Sequence, residues 1–395
     1  MPMEPNFIEE SPSQDDGDIF LGDIHIDDIP SEKLLIDLPF KDLYIRIDDN
    51  IDANTHSRYN PTPGPDVDEY VNLKVPPEYN TNLNMLRNDL RKVGPTIDFR
   101  VFFEGIRFRA VRMETVSSDP SLEKEVWVCL RRFPTKTPDI DKMNYTEANR
   151  EIMKGLGRKQ GLIVIGGGTG AGKTTTGISL FRFYMKSIGG VGYMVEDPCE
   201  YILQGDFEGN PEKAMVLQCE VTEEEQWVQA IKNGLRCNPK FVYLGEVRTP
   251  DSAAQMLRMA SSGHLVICTV HGGTVEQCVS ALVQIARSKL DDLANQLLAD
   301  SLVAIIHQTM SRGRVNMTIL KAEGMADGVR AAIRDGDLKK LANSIEQQRN
   351  QADKVIREKQ AAAAQHSTTQ PQGQRRPQQS RQAAPAVEKK KGWFK

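Results

Sequence analysis

The chain has 395 residues and a formal net charge of −4, with 26% charged and 39% hydrophobic residues. That balance is ordinary for a globular protein and excludes collagen-like, coiled-coil and wholly disordered chains; at ~150 residues per domain the length holds two or three domains. No run of ~18 apolar residues occurs, so no membrane-spanning helix is expected, and the acidic N-terminus lacks a basic and apolar leader, so no secretory signal is expected either. The six cysteines, Cys129, Cys199, Cys219, Cys237, Cys268 and Cys278, form no CxxC pair, which argues against a zinc site or disulfide framework and fits a reducing cytoplasm.

Taken in chain order, residues 1–33 form an acidic tail. Residues 1–31 contain nine Asp or Glu and no Lys or Arg. Such a segment repels itself and buries little, so it is expected to be disordered. Its role is either solubilising or that of a docking peptide presenting Ile19, Phe20 and neighbouring apolar residues to a basic partner. Residues 34–140 read as a small α/β domain with an antiparallel sheet. Leu43–Ile47 alternates like a strand, Leu83, Leu86 and Leu90 have helical spacing, and Ile97–Val101, Arg107–Val116 and Val126–Phe133 follow as strands. Asn60–Pro65 is expected to be a loop.

Residues 141–346 alternate short apolar strands with helices. Leu162–Ile165, Val191–Val195, Phe241–Leu244 and Leu265–Val270 are near-continuous apolar runs, which suit strands buried on both faces of a parallel sheet. The fold expected is therefore α/β, a doubly wound P-loop domain behind a smaller N-terminal domain. In residues 347–395, Gln347–Gln365 extends a last helix, Gln370–Gln382 is low in complexity, and the end is a basic tail in which lysines flank Trp393 and Phe394.

The stretch Gly167-Gly168-Thr169-Gly170-Ala171-Gly172-Lys173-Thr174 fits GxxxxGK[ST] at every fixed position, with an apolar strand before it and a helix from Thr175 after it. Glycines let successive backbone N–H groups turn inward on phosphate oxygens, and the helix N-terminus adds positive potential. Lys173 suits the β- and γ-phosphates and the Thr174 hydroxyl suits Mg²⁺. Hydrolysis further needs acids at the carboxyl ends of neighbouring strands. Two strands end so: Met194-Val195 runs into Glu196 and Asp197, and Tyr243-Leu244 into Gly245 and Glu246. Glu196 and Glu246 are the candidate water-handling carboxylates, and Asp197 joins Thr174 as a candidate metal ligand. His271 is expected just beyond a fourth strand on the same edge, where it can donate to the γ-phosphate. His264 lies at the strand's other end, in a packing or capping position.

The series GGTGAGKTT, YMVEDPCEY, LGEVR and SSGHLVICTVHGGT resembles the four signatures of the PilT-like traffic ATPases of type IV pili and of type II and type IV secretion. The resemblance runs from about Phe40 to Glu346. It implies a RecA-like core with a PAS-like N-terminal domain, ATP and Mg²⁺ at their junction, and a homo-hexameric ring. Such a ring works in the cytoplasm on inner-membrane secretion or pilus assembly proteins and needs no nucleic acid for hydrolysis. It implies that Arg109 and Arg131, with Arg112 next, reach the γ-phosphate from the N-terminal domain, and that Glu200, His264 and Arg236 fall on family positions. Leu298–Leu302 and Ile333–Gly336 match the family's C-terminal helices. Thr249, Lys240 and Gly272 depart from the family pattern, and these departures point toward the DotB- and TraJ-like branch of Dot/Icm secretion and conjugation. A motor ATPase is thus expected, with a DNA translocase, a P-loop kinase and a non-hydrolysing assembly scaffold as alternatives.

Overall fold

The computed structural model describes residues 33–48, 57–62, 71–117, 120–311, 314–324 and 327–351, with the backbone of Ile19–Phe20. The rest of the acidic segment, Gln370–Gln382 and the Lys389–Lys395 terminus lie outside the described residues. The chain divides into a unit covering Met1–Gln347 and a second covering Gln348–Lys395; of the second, residues 348–351 are described and helical.

The N-terminal sheet is built from β1 (Ile19–Phe20), β2 (Phe40–Arg46), β3 (Arg58–Pro61), β4 (Leu73–Lys74), β5 (Asp98–Phe103), β6 (Ile106–Val116) and β7 (Lys124–Arg132), with helix α1 (Asn80–Lys92) beside it. Its order is β1-β5-β6-β7-β2-β3-β4. Alternation decides its faces. Ile106, Phe108 and Ala110 are buried while Arg109 between them is exposed, and Leu83, Leu86 and Leu90 of α1 pack into the same apolar cluster. The β5–β6 hairpin turns on Glu104 and Gly105, both at positive φ, the two-residue geometry that matches strand twist. Two expectations change here. Asn60 and Pro61 belong to β3, which Asn60 helps secure by donating to the Tyr44 hydroxyl at 3.0 Å. Ile19 and Phe20 run parallel to β5, opposite Val101 and Phe102, where a tail without structure was expected.

The core sheet follows helix α2 (Glu147–Leu156). It comprises β8 (Gly161–Gly167), β9 (Gly190–Glu196), β10 (Gly205–Asp206), β11 (Ala214–Glu220), β12 (Phe241–Leu244), β13 (Leu265–His271), β14 (Leu302–Ser311) and β15 (Arg314–Lys321). The order is β10-β11-β9-β12-β13-β8-β14-β15, parallel except for the pairs at its two margins. Helices α3 (Lys173–Ser187), α4 (Glu224–Arg236), α5 (Pro250–Ser261), α6 (Val275–Leu290), α7 (Leu293–Ser301) and α8 (Gly328–Asp335) connect or cover these strands. β8 shows why its run is apolar throughout: Leu162 and Val164 enter one buried cluster, Ile163 and Ile165 another. The doubly wound α/β class read from the sequence is the one found. Leu298–Ser301 is helical as the resemblance implies, but Leu302 already opens β14.

Because the inner strands are parallel, their carboxyl ends share one edge. His271 pairs with Gly167 across β13–β8, and Leu244 with Val195 across β12–β9. That edge carries the phosphate motif and both acidic strand ends.

Candidate functional site

The loop from Gly167 to Lys173 leaves β8 and enters α3. Gly170 and Gly172 have φ of 76° and 81°, a region nearly closed to side chains with a Cβ. Gly172 is the N-cap of α3, so the loop's amides lead into the positive end of a 15-residue helix. Gly168, Thr169 and Gly170 are exposed, and nothing lies within 4 Å of where a Cβ at Gly168 or Gly170 would be. The cradle thus opens outward. Lys173 Nζ folds back over it, donating to the carbonyls of Gly167 and Gly168 at 3.1 and 3.0 Å. Burial holds its ammonium below the ordinary lysine range, opposed by the Glu246 carboxylate. Thr174 and Thr175 occupy the first turn of α3, with the Thr175 hydroxyl 3.4 Å from that of Tyr201.

Glu196 ends β9 and is 1% exposed. Gln218 Nε2 donates to it at 2.8 Å, yet burial dominates and pushes its carboxyl up to about 8. The folded value exceeds the ordinary 4.5, so this group's contribution to stability is present below that pH and is lost as pH rises through about 8. Glu196→Gln is therefore expected to melt close to the native protein at pH 5 and several degrees higher at pH 8.5, a gain of roughly 4 kcal/mol at most. A calorimetric offset equal at the two pH values would contradict it.

Glu246 lies two residues past β12. Thr269 Oγ1 holds the carbonyl of Gly245, fixing the turn, and a side chain at Gly245 would press on Glu196. Glu246 Oε1 is 2.9 Å from His271 Nε2, and its Oε2 accepts from Arg248 at 2.7 Å. Arg248 also lies 3.7 Å from Asp197. His271 is the last residue of β13 rather than a residue beyond it. The cluster offers a partly buried carboxylate with a half-exposed imidazole beside it, an arrangement able to orient and deprotonate water. Among the described residues no group of three or more His, Cys, Asp or Glu gathers as a metal site. The Thr174 hydroxyl and the accessible Asp197 carboxylate suit Mg²⁺ carried on a nucleotide, which takes one or two carboxylates besides phosphate and water.

Across β5, β6, β7 and β2, Arg100, Arg109, Arg131 and Asp42 stand in one row. Arg109 pairs with Asp98 at 2.6 Å and Arg131 with Asp42 at 2.7 Å. Both also feel the core's acids, Arg109 through Asp197 and Arg131 through Glu200. In this state the contacts to the core come from their neighbours. Arg107 donates to the Cys199 carbonyl at 2.9 Å while lying 4.9 Å from the Phe133 ring centroid, and Arg100 pairs with Glu220. Arg112 differs from the expectation. It has the parity of Phe108 and Ala110, and it donates to the carbonyls of Val93 and Gly94 at 3.3 and 3.1 Å, just past α1. It therefore stands on the opposite face of β6 from Arg109.

The departures from the family pattern have local explanations. Thr249 caps α5 through a capping box with Ser252, a task Asp and Thr share. Lys240 and the exposed Arg236 sit at the amino end of β12, across the sheet from the phosphate loop. His264 is there too, bracing the Pro239 carbonyl through Nδ1 at 2.6 Å. A Cβ at Gly272 would strike Cys278.

The sequence reading missed Gln308. It is fully buried in β14, donates from Nε2 to the carbonyl of Ala171 and accepts from Thr176 Oγ1 at 2.8 Å. A lone amide after the apolar run Leu302–Ile306 was the available signal, since buried polar groups need partners.

Comparison with known proteins follows this geometry. The family described as Type II/IV secretion system protein matches residues 98–384. The type IV pilus ATPase PilU of Pseudomonas aeruginosa is 31% identical over 160 residues, 40% of this chain and 39% of that protein. The matched part spans 37–65% of the length of the curated relatives. The fold is similar to the crystal structure of the pilus retraction motor PilT with bound ADP, at 24% identity and TM-score 0.58 over 79% of this chain and 87% of that one. It is equally similar to the Legionella pneumophila ATPase DotB, at 18% identity and TM-score 0.59 over 80% and 91%.

Proposed function

Because the chain belongs to the type II/IV secretion system protein family, we propose that it is a motor ATPase, hydrolysing ATP to drive a secretion, conjugation or pilus machine at the cytoplasmic face of the inner membrane. The observation that carries this reading is the meeting of Lys173, Glu246, His271 and Asp197 on one sheet edge. A phosphate loop alone binds; a loop beside a histidine-linked carboxylate is equipped to hydrolyse.

In the proposed cycle Lys173 leaves the Gly167 and Gly168 carbonyls for the β- and γ-phosphates. Glu246 orients the attacking water and takes its proton, while His271 senses the γ-phosphate. Thr174 and Asp197 would hold the Mg²⁺ that accompanies the triphosphate, which would supply charge neutralisation. Arg109 and Arg131 exchange Asp98 and Asp42 for the γ-phosphoryl as the N-terminal domain closes. In a homo-hexameric ring, closure and reopening move the membrane machine, with different nucleotide affinity in the two states.

The test is ATP turnover by the whole chain without nucleic acid or phosphate acceptor, together with its mass in solution with and without Mg-ATP. Steady turnover and a ring of six copies are expected, and Arg109→Ala or Arg131→Ala should lower kcat ~10³-fold with little change in affinity. Turnover only with DNA would make it a translocase, turnover only with an acceptor a kinase, and a ring without turnover a scaffold.

A further inference from the structure

We propose that Gln308 is a positioning residue for the phosphate loop, and that a directed hydrogen-bond chain through it ties the loop to Tyr145 in the segment entering the core. The inference rests on the reading of that loop as the nucleotide site.

The orientation of the chain follows from its end. The Ala171 carbonyl can only accept, so the nitrogen of the Gln308 amide must face it, and Oε1 must face Thr176. The Thr176 hydroxyl has one proton, which goes to Gln308. The Tyr145 hydroxyl, 2.8 Å from Thr176 Oγ1, must then donate to Thr176. Each proton along the chain has one direction, and all three side chains are buried. Tyr145 lies between the end of β7 at Arg132 and the start of α2 at Glu147, in the stretch that joins the two sheets.

What this fixes is the direction of a peptide plane. In a trans peptide the carbonyl and the following N–H point oppositely. Gln308 draws the Ala171 carbonyl inward, beneath the loop, so the N–H of Gly172 is turned to the outer side. That is the side on which the exposed Gly168–Gly170 crest leaves room for an anion. The approach of β14 is itself close: a Cβ on Gly167 would strike the Gln308 carbonyl, and one on Gly172 would come within 3.3 Å of the Gln308 side chain. Gln308 thus supports the cradle from below.

Gln308→Met keeps the length and removes both hydrogen bonds. Gln308→Glu keeps the acceptor for Thr176 and, once ionised, has no proton to donate to Ala171, so it is assayed at rising pH, where burial no longer keeps the acid protonated. Both are expected to weaken Mg-ATP binding about tenfold, as loss of one aimed amide would, with kcat within about threefold of native. Thr176→Val should weaken binding about threefold. A merely structural role would lower the melting temperature of the nucleotide-free protein and leave the dissociation constant of the folded fraction unchanged, which would overturn the inference. Should Gln308→Met not fold, Gln308→Glu and Thr176→Val decide by the same measurement. Lys173→Ala, measured in parallel, separates the two levels. If it binds Mg-ATP like the native protein, the nucleotide reading fails. If it loses binding while the other variants bind normally, the positioning role fails.

Discussion

Replacing Lys173 by Ala is expected to abolish measurable nucleotide binding while leaving the fold intact. Its ammonium is the cation most committed to the loop, and in the described state it spends its donors on the carbonyls of Gly167 and Gly168. The exposed Gly168 carbonyl can turn to water when the amine is gone, the buried Gly167 carbonyl loses one contact at the mouth of the loop, and burial already disfavours the ammonium there. Binding is different. Each charge-assisted contact to a phosphate is worth ~1.5–3 kcal/mol, so two of them correspond to a weakening of ~10²–10⁴-fold. Isothermal titration with Mg-ATP, paired with a melting curve, checks both halves. Retained affinity would remove the loop from the nucleotide site.

Glu246→Gln should produce the reverse pattern: near-native ATP binding with turnover reduced ~10²–10⁴-fold, the usual contribution of a positioned proton acceptor. The amide oxygen still accepts from the Arg248 guanidinium and the amide NH2 can donate to a neutral His271 Nε2, so the geometry of the edge is largely kept. What is lost is basicity. Single-turnover hydrolysis after confirmed binding is the measurement; turnover within threefold of native would transfer the water-handling role elsewhere, with Glu196 the next carboxylate to test.

The phosphate loop was legible in the sequence because its chemistry is local: eight consecutive residues carry the turn, the amides and the lysine. The inner strands were legible because burial on both faces removes polar residues from them altogether, as at Leu162–Ile165. The faces of the N-terminal sheet were legible in principle. The parity that buries Phe108 and Ala110 also sends Arg112 to the side of α1, against its likeness to a family arginine. β3 was obscured by Asn60 and Pro61, turn residues tolerated because β4 pairs only with Arg58 and Tyr59 and leaves this end of β3 unpaired on its outer side. Gln308 left only the faint signal of a lone amide after an apolar run, for another reason. Its partners Thr176 and Ala171 lie 132 and 137 residues away, and β14 begins directly after α7, so the apolar run gave no boundary to mark a strand.

The row of arginines facing the core has an electrical consequence. Asp98, Asp42 and Glu220 already neutralise Arg109, Arg131 and Arg100, so this surface projects little net field beyond a few ångströms. Long-range attraction cannot recruit a polyanion to it, and ionic strength will bear weakly on first encounter. Discrimination is deferred to contact, where an anion must outcompete carboxylates already held at 2.6 and 2.7 Å.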